Sequence, residues 1–239
     1  MYTLANRKYR GSIYALMISR ELKATYYFLM GFPMKLSGAL YRNLKAPRSG
    51  QVKVQLGPGQ ENYLPNWINV DANVLTAKCD VWADLRNKLP FRDGSVDAFY
   101  SHHVIEHLPD KRLPFHFEEM YRCLKPGGVF RVGGPNGDAA IQKFTEGDKE
   151  WFSDFPDQRE SIGGKLANFI FVRNEHFTIL TESYLDEIAR GAGFPGVRTC
   201  RPVTETHHPE HIDPAVLDTE YESTPEVPHT LIVEGQKPT

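Results

Sequence analysis

The run Val52-Lys53-Val54-Gln55-Leu56-Gly57-Pro58-Gly59, followed closely by Trp67-Ile68-Asn69-Val70-Asp71, decides how this sequence is read. Alternating apolar residues over Val52 to Leu56 predict a strand. The glycines directly after it predict a tight turn whose missing Cβ atoms let a ligand approach the backbone. Many strand-ending turns hold two glycines for structural reasons alone, so the second run matters more. It predicts a strand closing on Asp71, where a carboxylate can accept both hydrogen bonds of a vicinal diol. Pro65 lies between the two runs and leaves room for a short helix at most.

Further along, short apolar runs separated by Gly, Pro, Asn and Asp predict strands at Val52 to Leu56, Trp67 to Val70, Val81 to Ala83, Val96 to Ser101, Val129 to Val132, Val197 to Arg201 and Thr230 to Val233. Helical periodicity fits Leu113 to Leu124 and Glu182 to Ala192. Strands interleaved with helices read as α/β with a largely parallel sheet. The stretch from Pro202 to Pro228, rich in Pro, Glu, His and Thr, reads as a loop between the last two strands.

The chain has 239 residues, 41% hydrophobic and 24% charged, which fits a globular protein and excludes a wholly disordered or collagen-like one. A net charge of -2 argues against whole-molecule attraction to nucleic acid. Cys79, Cys123 and Cys200 stand far apart with no CxxC pair, so neither a disulfide framework nor a zinc knuckle is signalled. The apolar stretch Ala24 to Phe32 is shorter than the roughly 20 residues a spanning helix needs and lacks a signal-peptide cleavage pattern, so the expected location is cytoplasmic.

Charge is uneven along the chain. Residues 1–50 hold nine basic side chains against Glu21 alone, a balance of +8 that leaves -10 for the rest. Ile13, Leu16, Met17 and Arg20 repeat at helical spacing, and two short helices broken near Gly31 and Pro33 are expected in this arm. The division read from the sequence is a basic helical arm over 1–50 and a main domain over 51–239. The arm reads as a lid or dimer arm with a solvated face, ahead of a peripheral contact with anionic lipid.

The series continues through Ala83-Asp84-Leu85, Leu89 to Asp97, Ala98-Phe99-Tyr100-Ser101-His102-His103-Val104-Ile105-Glu106-His107-Leu108 and Cys123 to Val132. In order and spacing these segments resemble a class I S-adenosylmethionine-dependent methyltransferase. The resemblance covers roughly residues 52–132, continues through His176-Phe177-Thr178 and Ala192-Gly193-Phe194, and reaches Leu231 to Glu234. It implies a Rossmann-like, doubly wound, mostly parallel seven-stranded sheet with an antiparallel last strand, and S-adenosylmethionine as cofactor. It further implies that Leu56 leads into a turn where Gly57 and Gly59 pass beneath the methionine part. On the same ground Asp71 holds the ribose, Asp84 faces the adenine amine with Leu85 beside the ring, and Ser101 and His102 line the methyl-donor end. Asp84 as a turn acid is the structural alternative, and Asp97 falls at the entry of the fourth strand, away from the crevice.

The sequence departs from the family pattern where Gln55 replaces an acid before the first glycine and Glu61 stands for the third glycine. A subgroup with a similarly shortened turn and a Trp-Ile-Asn-Val-Asp run is often linked to sugar and polysaccharide synthesis. The absent third glycine also disfavours a dinucleotide oxidoreductase.

Candidate catalytic residues are His103, His107 and His176. If the chain turns helical after His103, then His103, Glu106 and His107 share one face. Such a face suits a capping role, a general base of near-neutral pKa, or a divalent metal, which the chemistry allows but the reading does not expect. His207, His208 and His211 surround Pro209 and read as a solvated loop, and Trp151, Phe152 and Phe155 as core packing or a platform for a ring substrate. No Asn-Pro-Pro-Tyr run follows the fourth strand; Ser101-His102-His103-Val104 stands there, which weakens nucleic-acid methylation. The expected activity is methyl transfer to a hydroxyl of a small molecule or sugar, with homodimerisation allowed. The alternative is a catalytically inactive binding or assembly protein of the same fold.

Overall fold

A computed structural model describes residues 20–222 and 226–239. Seven strands form one sheet: β1 (Lys53–Leu56), β2 (Ile68–Asp71), β3 (Val81–Trp82), β4 (Val96–His102), β5 (Leu124–Pro135), β6 (Arg198–Cys200) and β7 (Thr230–Gln236), in the order β3-β2-β1-β4-β5-β7-β6. β1 pairs in parallel with β2 and β4, β2 with β3, and β4 with β5, whereas β7 runs antiparallel between β5 and β6. The strand order reverses beside β1, which puts a crevice at the carboxyl ends of β1 and β4.

The helices are α1 (Arg20–Leu40), α2 (Leu113–Cys123), α3 (Gly137–Glu146), α4 (Ile162–Phe171), α5 (Glu182–Ala192) and α6 (Pro214–Leu217). Phe117 and Met120 of α2 and Leu185 and Ile188 of α5 bury against Val54, Phe99 and Phe130 of the sheet. Leu64, Trp67, Tyr100, Ile212 and Val216 form a second apolar cluster. As the sequence indicates, no helix stands between β1 and β2. The last inter-strand loop, by contrast, contains the single turn α6.

The expected break at Gly31 and Pro33 does not occur, because α1 runs through both. Proline removes one N–H and frees the Leu29 carbonyl, but Leu29 and its neighbours Phe28 and Phe32 are exposed, so water can serve that oxygen. Contacts on the other face hold the helix continuous across them. Met34 is 1% exposed, Gly38 abuts Ala83 and Pro90, and the Tyr26 hydroxyl donates to the Ala72 carbonyl at 2.6 Å. The outward face is not polar, since Phe28, Leu29, Phe32, Leu36 and Leu40 all stand exposed on it. Among the described residues no helix is long and apolar enough to cross a membrane. Ile13, Leu16 and Met17 lie outside the described residues.

Helices α3 and α4 were not expected. Asn136 caps α3 by accepting from Ala139 N at 3.0 Å, and Gly147 ends it in the left-handed region at φ 76°. Ser161 caps α4 in the same way, through Gly164 N. The pair closes over Trp151 and Phe152, which are core residues and not a platform for substrate. Trp151 also stacks on His229 with ring centroids 4.2 Å apart and donates its indole N–H to the Val227 carbonyl.

One buried histidine gives the fold a pH dependence. His116 of α2 is 1% exposed, its Nδ1–H donates to the Leu85 carbonyl at 3.2 Å, and its Nε2 has no partner. Burial pushes its pKa down to about 4. An unfolded histidine takes a proton as pH falls through about 6.5, and the folded one resists until lower pH. This contribution is therefore fully present above the unfolded pKa and is lost as pH falls towards the folded one, by about 3 kcal/mol in total. In His116→Asn the side-chain amide keeps a donor near Leu85 and the titration is gone. Its Tm is expected to fall less than that of the wild type between neutral pH and about pH 4.5; parallel Tm curves for the two proteins would refute the assignment.

Candidate functional site

The turn after β1 is built as the sequence requires. Gly57 has φ 68°, and a Cβ there would stand 2.4 Å from Val104 Cγ2, so both conformation and space demand glycine. Gly59 has φ 60°, but the space around its absent Cβ is open. Leu56 is fully buried and leads into this turn. Asp71, at the end of β2, accepts from Gly59 N at 3.3 Å and Asn73 N at 2.8 Å, which joins the two halves of the expected site. Burial raises the Asp71 pKa, and these backbone N–H groups oppose the rise.

Gln55 and Asn69 were missed as site-building residues. Gln55 is buried, donating to the Asn62 carbonyl at 2.7 Å and accepting from Leu64 N at 3.1 Å. A carboxylate in its place would have no hydrogen to give the carbonyl, so the departure from an acid serves the short turn. Asn69 donates to the Leu64 and Trp67 carbonyls and accepts from Leu64 N. The signal was present in the sequence, as two amides on adjacent strands beside a loop too short to form a helix.

Asp84 is buried and holds Arg86 in a bidentate pair, with contacts at 2.9 and 2.7 Å. The Arg86 guanidinium in turn lies 3.8 Å from the centre of the Tyr27 ring, so α1 is tied to the end of β3. A cavity of about 350 Å³ opens there, lined by Met34, Gly38, Arg42, Asp84 and Asn87 among others. Leu85 is buried beside it. As expected, Asp97 lies away from the crevice, accepting from Val52 N and Lys125 Nζ.

At the end of β4, Ser101 Oγ and His102 Nε2 are buried without hydrogen-bond partners. Burial pulls the His102 pKa well below its ordinary value, so the ring is neutral. The next residue, His103, has φ 53°, a left-handed conformation uncommon outside glycine, with its N–H held by the Gly133 carbonyl at 2.8 Å. Its Nδ1 donates to Glu106 Oε1 at 3.1 Å, and the His103 side chain is 44% exposed while Glu106 is fully buried. Gly133 and Gly134 of β5 make this possible. A Cβ on Gly133 would meet His102 at 2.9 Å, and one on Gly134 would meet Glu106 Oε2 at 3.2 Å.

The segment before α5 folds back onto this turn through Phe177 N, which donates to the Glu106 carbonyl at 2.8 Å. It brings His176 to His107, with ring centroids 4.7 Å apart. The three candidate catalytic histidines therefore surround one carboxylate, that of Glu106. Burial pushes the His176 pKa down to about 4, against the pull of Glu106. Burial raises the Glu106 carboxyl, but the His103 hydrogen bond and the other two histidines outweigh it and hold the group below its usual range. His207 and His208 belong to a separate loop, where they meet the Thr199 carbonyl and Glu210.

A sheet of this order, with a glycine turn, an acid after β2 and unpartnered polar groups after β4, defines the class I methyltransferase fold. Residues 66–132 match the family model described as a methyltransferase domain. A segment of 49 residues is 47% identical to a protein of Mycolicibacterium smegmatis named "Probable S-adenosylmethionine-dependent methyltransferase". That match spans 20% of this chain and 18% of the relative. A solved S-adenosylmethionine-dependent methyltransferase from Archaeoglobus fulgidus superposes with a TM-score of 0.50 at 16% identity, covering 89% of this chain and 100% of that one. Another, from Thermotoga maritima, covers 90% and 94% at 20% identity with a TM-score of 0.48. Residues 66–132 therefore carry the methyltransferase-domain match, and the chain as a whole has the Rossmann-like methyltransferase fold.

The residues fit that cofactor on the structure's own terms. The space at Gly59 admits a ligand against the backbone, Asp71 presents an acceptor at the rim of the turn, and Ser101 Oγ and His102 Nε2 offer unsatisfied polar atoms at the far end. Asp84 accepts from the Arg86 guanidinium on both oxygens and from Arg86 N on Oδ1 at 3.0 Å, the turn-acid arrangement, so its lone pairs are already largely taken within the chain.

Proposed function

We propose that this protein transfers a methyl group from S-adenosylmethionine to a hydroxyl oxygen of a small molecule or sugar. The observation that carries the reading is the junction of Gly59 with the Asp71 carboxylate, in line with the unpartnered Ser101 and His102 at the end of β4. When bound, the cofactor supplies an electrophilic methyl on a sulfonium, so the protein needs no covalent nucleophile.

What the chain supplies is binding, alignment and a place for a proton. Gly57 and Gly59 shape the turn under the methionine part, and Asp71 accepts from the ribose diol. Neutral His102 lines the donor end without repelling a cation. His103 is the general base: Glu106 takes its Nδ1–H and stabilises the imidazolium, and Nε2, which has only a long 3.5 Å contact with Thr230 Oγ1, accepts the proton of a hydroxyl that takes the place of that contact. The half exposure of His103 lets an acceptor reach it.

Calorimetric titration with S-adenosylhomocysteine tests the reading, followed by labelled methyl transfer to sugar and phenolic acceptors. Micromolar binding with transfer to oxygen is expected. No binding at high protein concentration would sink it, and transfer to amines alone would overturn the choice of oxygen.

A further inference from the structure

We propose that Glu106, His107 and His176 form a binding site for one divalent first-row transition-metal ion, with two imidazole nitrogens and one carboxylate oxygen as ligands. Among the described residues, these three bring a ligand atom each to within 4.8 Å of one another. Metal–ligand bonds of about 2.0–2.2 Å in a tetrahedral site set donors roughly 3.3 Å apart. The widest pair must therefore close by about 1.5 Å on binding. His107 can make that movement, because it stands exposed on a short turn, whereas Glu106 and His176 are buried in place.

The hydrogen bonds around the cluster have the pattern of ligand orientation. His107 donates Nδ1–H to the Glu175 carbonyl at 3.0 Å, and His176 donates Nδ1–H to the Ile170 carbonyl at 3.1 Å. Each bond fixes the tautomer and leaves the Nε2 lone pair free, which is how backbone carbonyls prepare imidazoles for a metal.

Glu106 supplies the independent observation. It is fully buried, its Oε1 is satisfied by His103, and its Oε2 has no hydrogen-bond partner. An unpartnered oxygen on a buried carboxylate is costly unless a cation or donor meets it. The chain spends structure on keeping it there: glycine at 134 preserves the space beside Oε2, and the Phe177 N to Glu106 O bond carries His176 into reach. A set of two imidazoles and one carboxylate suits zinc, iron, cobalt, nickel or manganese over magnesium or calcium, which favour all-oxygen sites. His103 then orients the carboxylate and is not a ligand.

The proposal does not depend on methyl transfer, and its test reads the metal directly. Titration of the full chain with Co²⁺, followed by visible ligand-field absorption, is expected to saturate at one equivalent, with Zn²⁺ displacing the signal. His107→Asn and His176→Gln are each expected to weaken binding by more than about 100-fold, beyond the cost of losing an outer-shell partner. His207→Asn, in the separate loop, is expected to leave it unchanged. Circular dichroism accompanies each variant, and His107→Asn, at an exposed position, keeps the test meaningful if the buried substitution unfolds the chain. The proposal is overturned if the wild-type protein takes up no stoichiometric Co²⁺ or Zn²⁺, or if folded His107→Asn binds as tightly as wild type.

Discussion

Replacing Arg131 with leucine is expected to destabilise the chain by about 3–5 kcal/mol at neutral pH, the cost of leaving buried carboxylates without their cation. Arg131 lies in β5 and is fully buried. Its Nε and Nη2 donate to Glu220 at 2.6 and 2.8 Å, and its Nη1 donates to Glu234 at 2.6 Å and to the Glu205 carbonyl at 3.0 Å. The triad ties the segment after β6 to the middle of the sheet, since Glu220 also accepts from Val203 N and Glu234 from His207 N.

For a chain of this size such a loss lowers Tm by roughly 6–20 °C. Burial pushes the Glu234 carboxyl up, but Thr206, the His207 N–H and Arg131 outweigh it and hold the group below its usual value. The stability it lends is therefore present above the unfolded carboxylate pKa and is lost as pH falls through the folded one. It follows that the Arg131→Leu penalty is largest at neutral pH and shrinks on acidification, as the stranded Glu234 carboxylate takes up a proton. Making Glu220 and Glu234 leucine as well should recover only part of the loss, because Val203 N and His207 N lose their acceptors at about 1–3 kcal/mol each. Denaturant unfolding at two pH values checks all three statements; a pH-independent loss below 1 kcal/mol, roughly that of a surface pair, would contradict them.

Sequence order carried the local features well and the distant ones poorly. Each of the seven strands was legible because it alternates or ends in a turn signal, and α5 was legible from its period. The glycine turn and Asp71 could be joined on paper because one strand separates them. Helix α3 went unread because Gly133-Gly134-Pro135 resembles a loop, although Asn136 and Gly147 bracket it with capping residues. In α1 the breakers at Gly31 and Pro33 were real, and contacts from Met34, Gly38 and Tyr26 overrode them. Nothing local marks Arg131, whose partners stand 89 and 103 residues away. The same holds for His176, which reaches Glu106 only because the segment before α5 pairs its backbone with the turn after β4. Helical spacing suggested a shared face for His103, Glu106 and His107, but a short 3-10 turn over Ile105–His107 puts His103 beside Glu106 and turns His107 to His176.

Asp71→Ala is expected to weaken S-adenosylhomocysteine binding by at least about 100-fold, because each hydrogen bond to a charged acceptor is worth about 1.5–3 kcal/mol and a ribose diol makes two. The confounding possibility is structural, since Asp71 also holds Gly59 N and Asn73 N, so its removal could relax the turn without any ribose contact. A ligand cycle separates the two causes. If Asp71 accepts from the diol, a 2′-deoxy analogue binds the wild type weakly and loses far less on going to Asp71→Ala, because the bond it lacks cannot be lost again. If Asp71 only braces the turn, both ligands lose the same factor. Asp71→Asn sharpens the result: its amide oxygen can still accept from Asn73 N, so a loss of about tenfold for the full ligand reports the missing charge and not a collapsed loop. Equal losses for both ligands, or folded Asp71→Ala binding within a small factor of wild type, would move the ribose contact away from the end of β2 and leave Asp71 as the residue that positions Gly59.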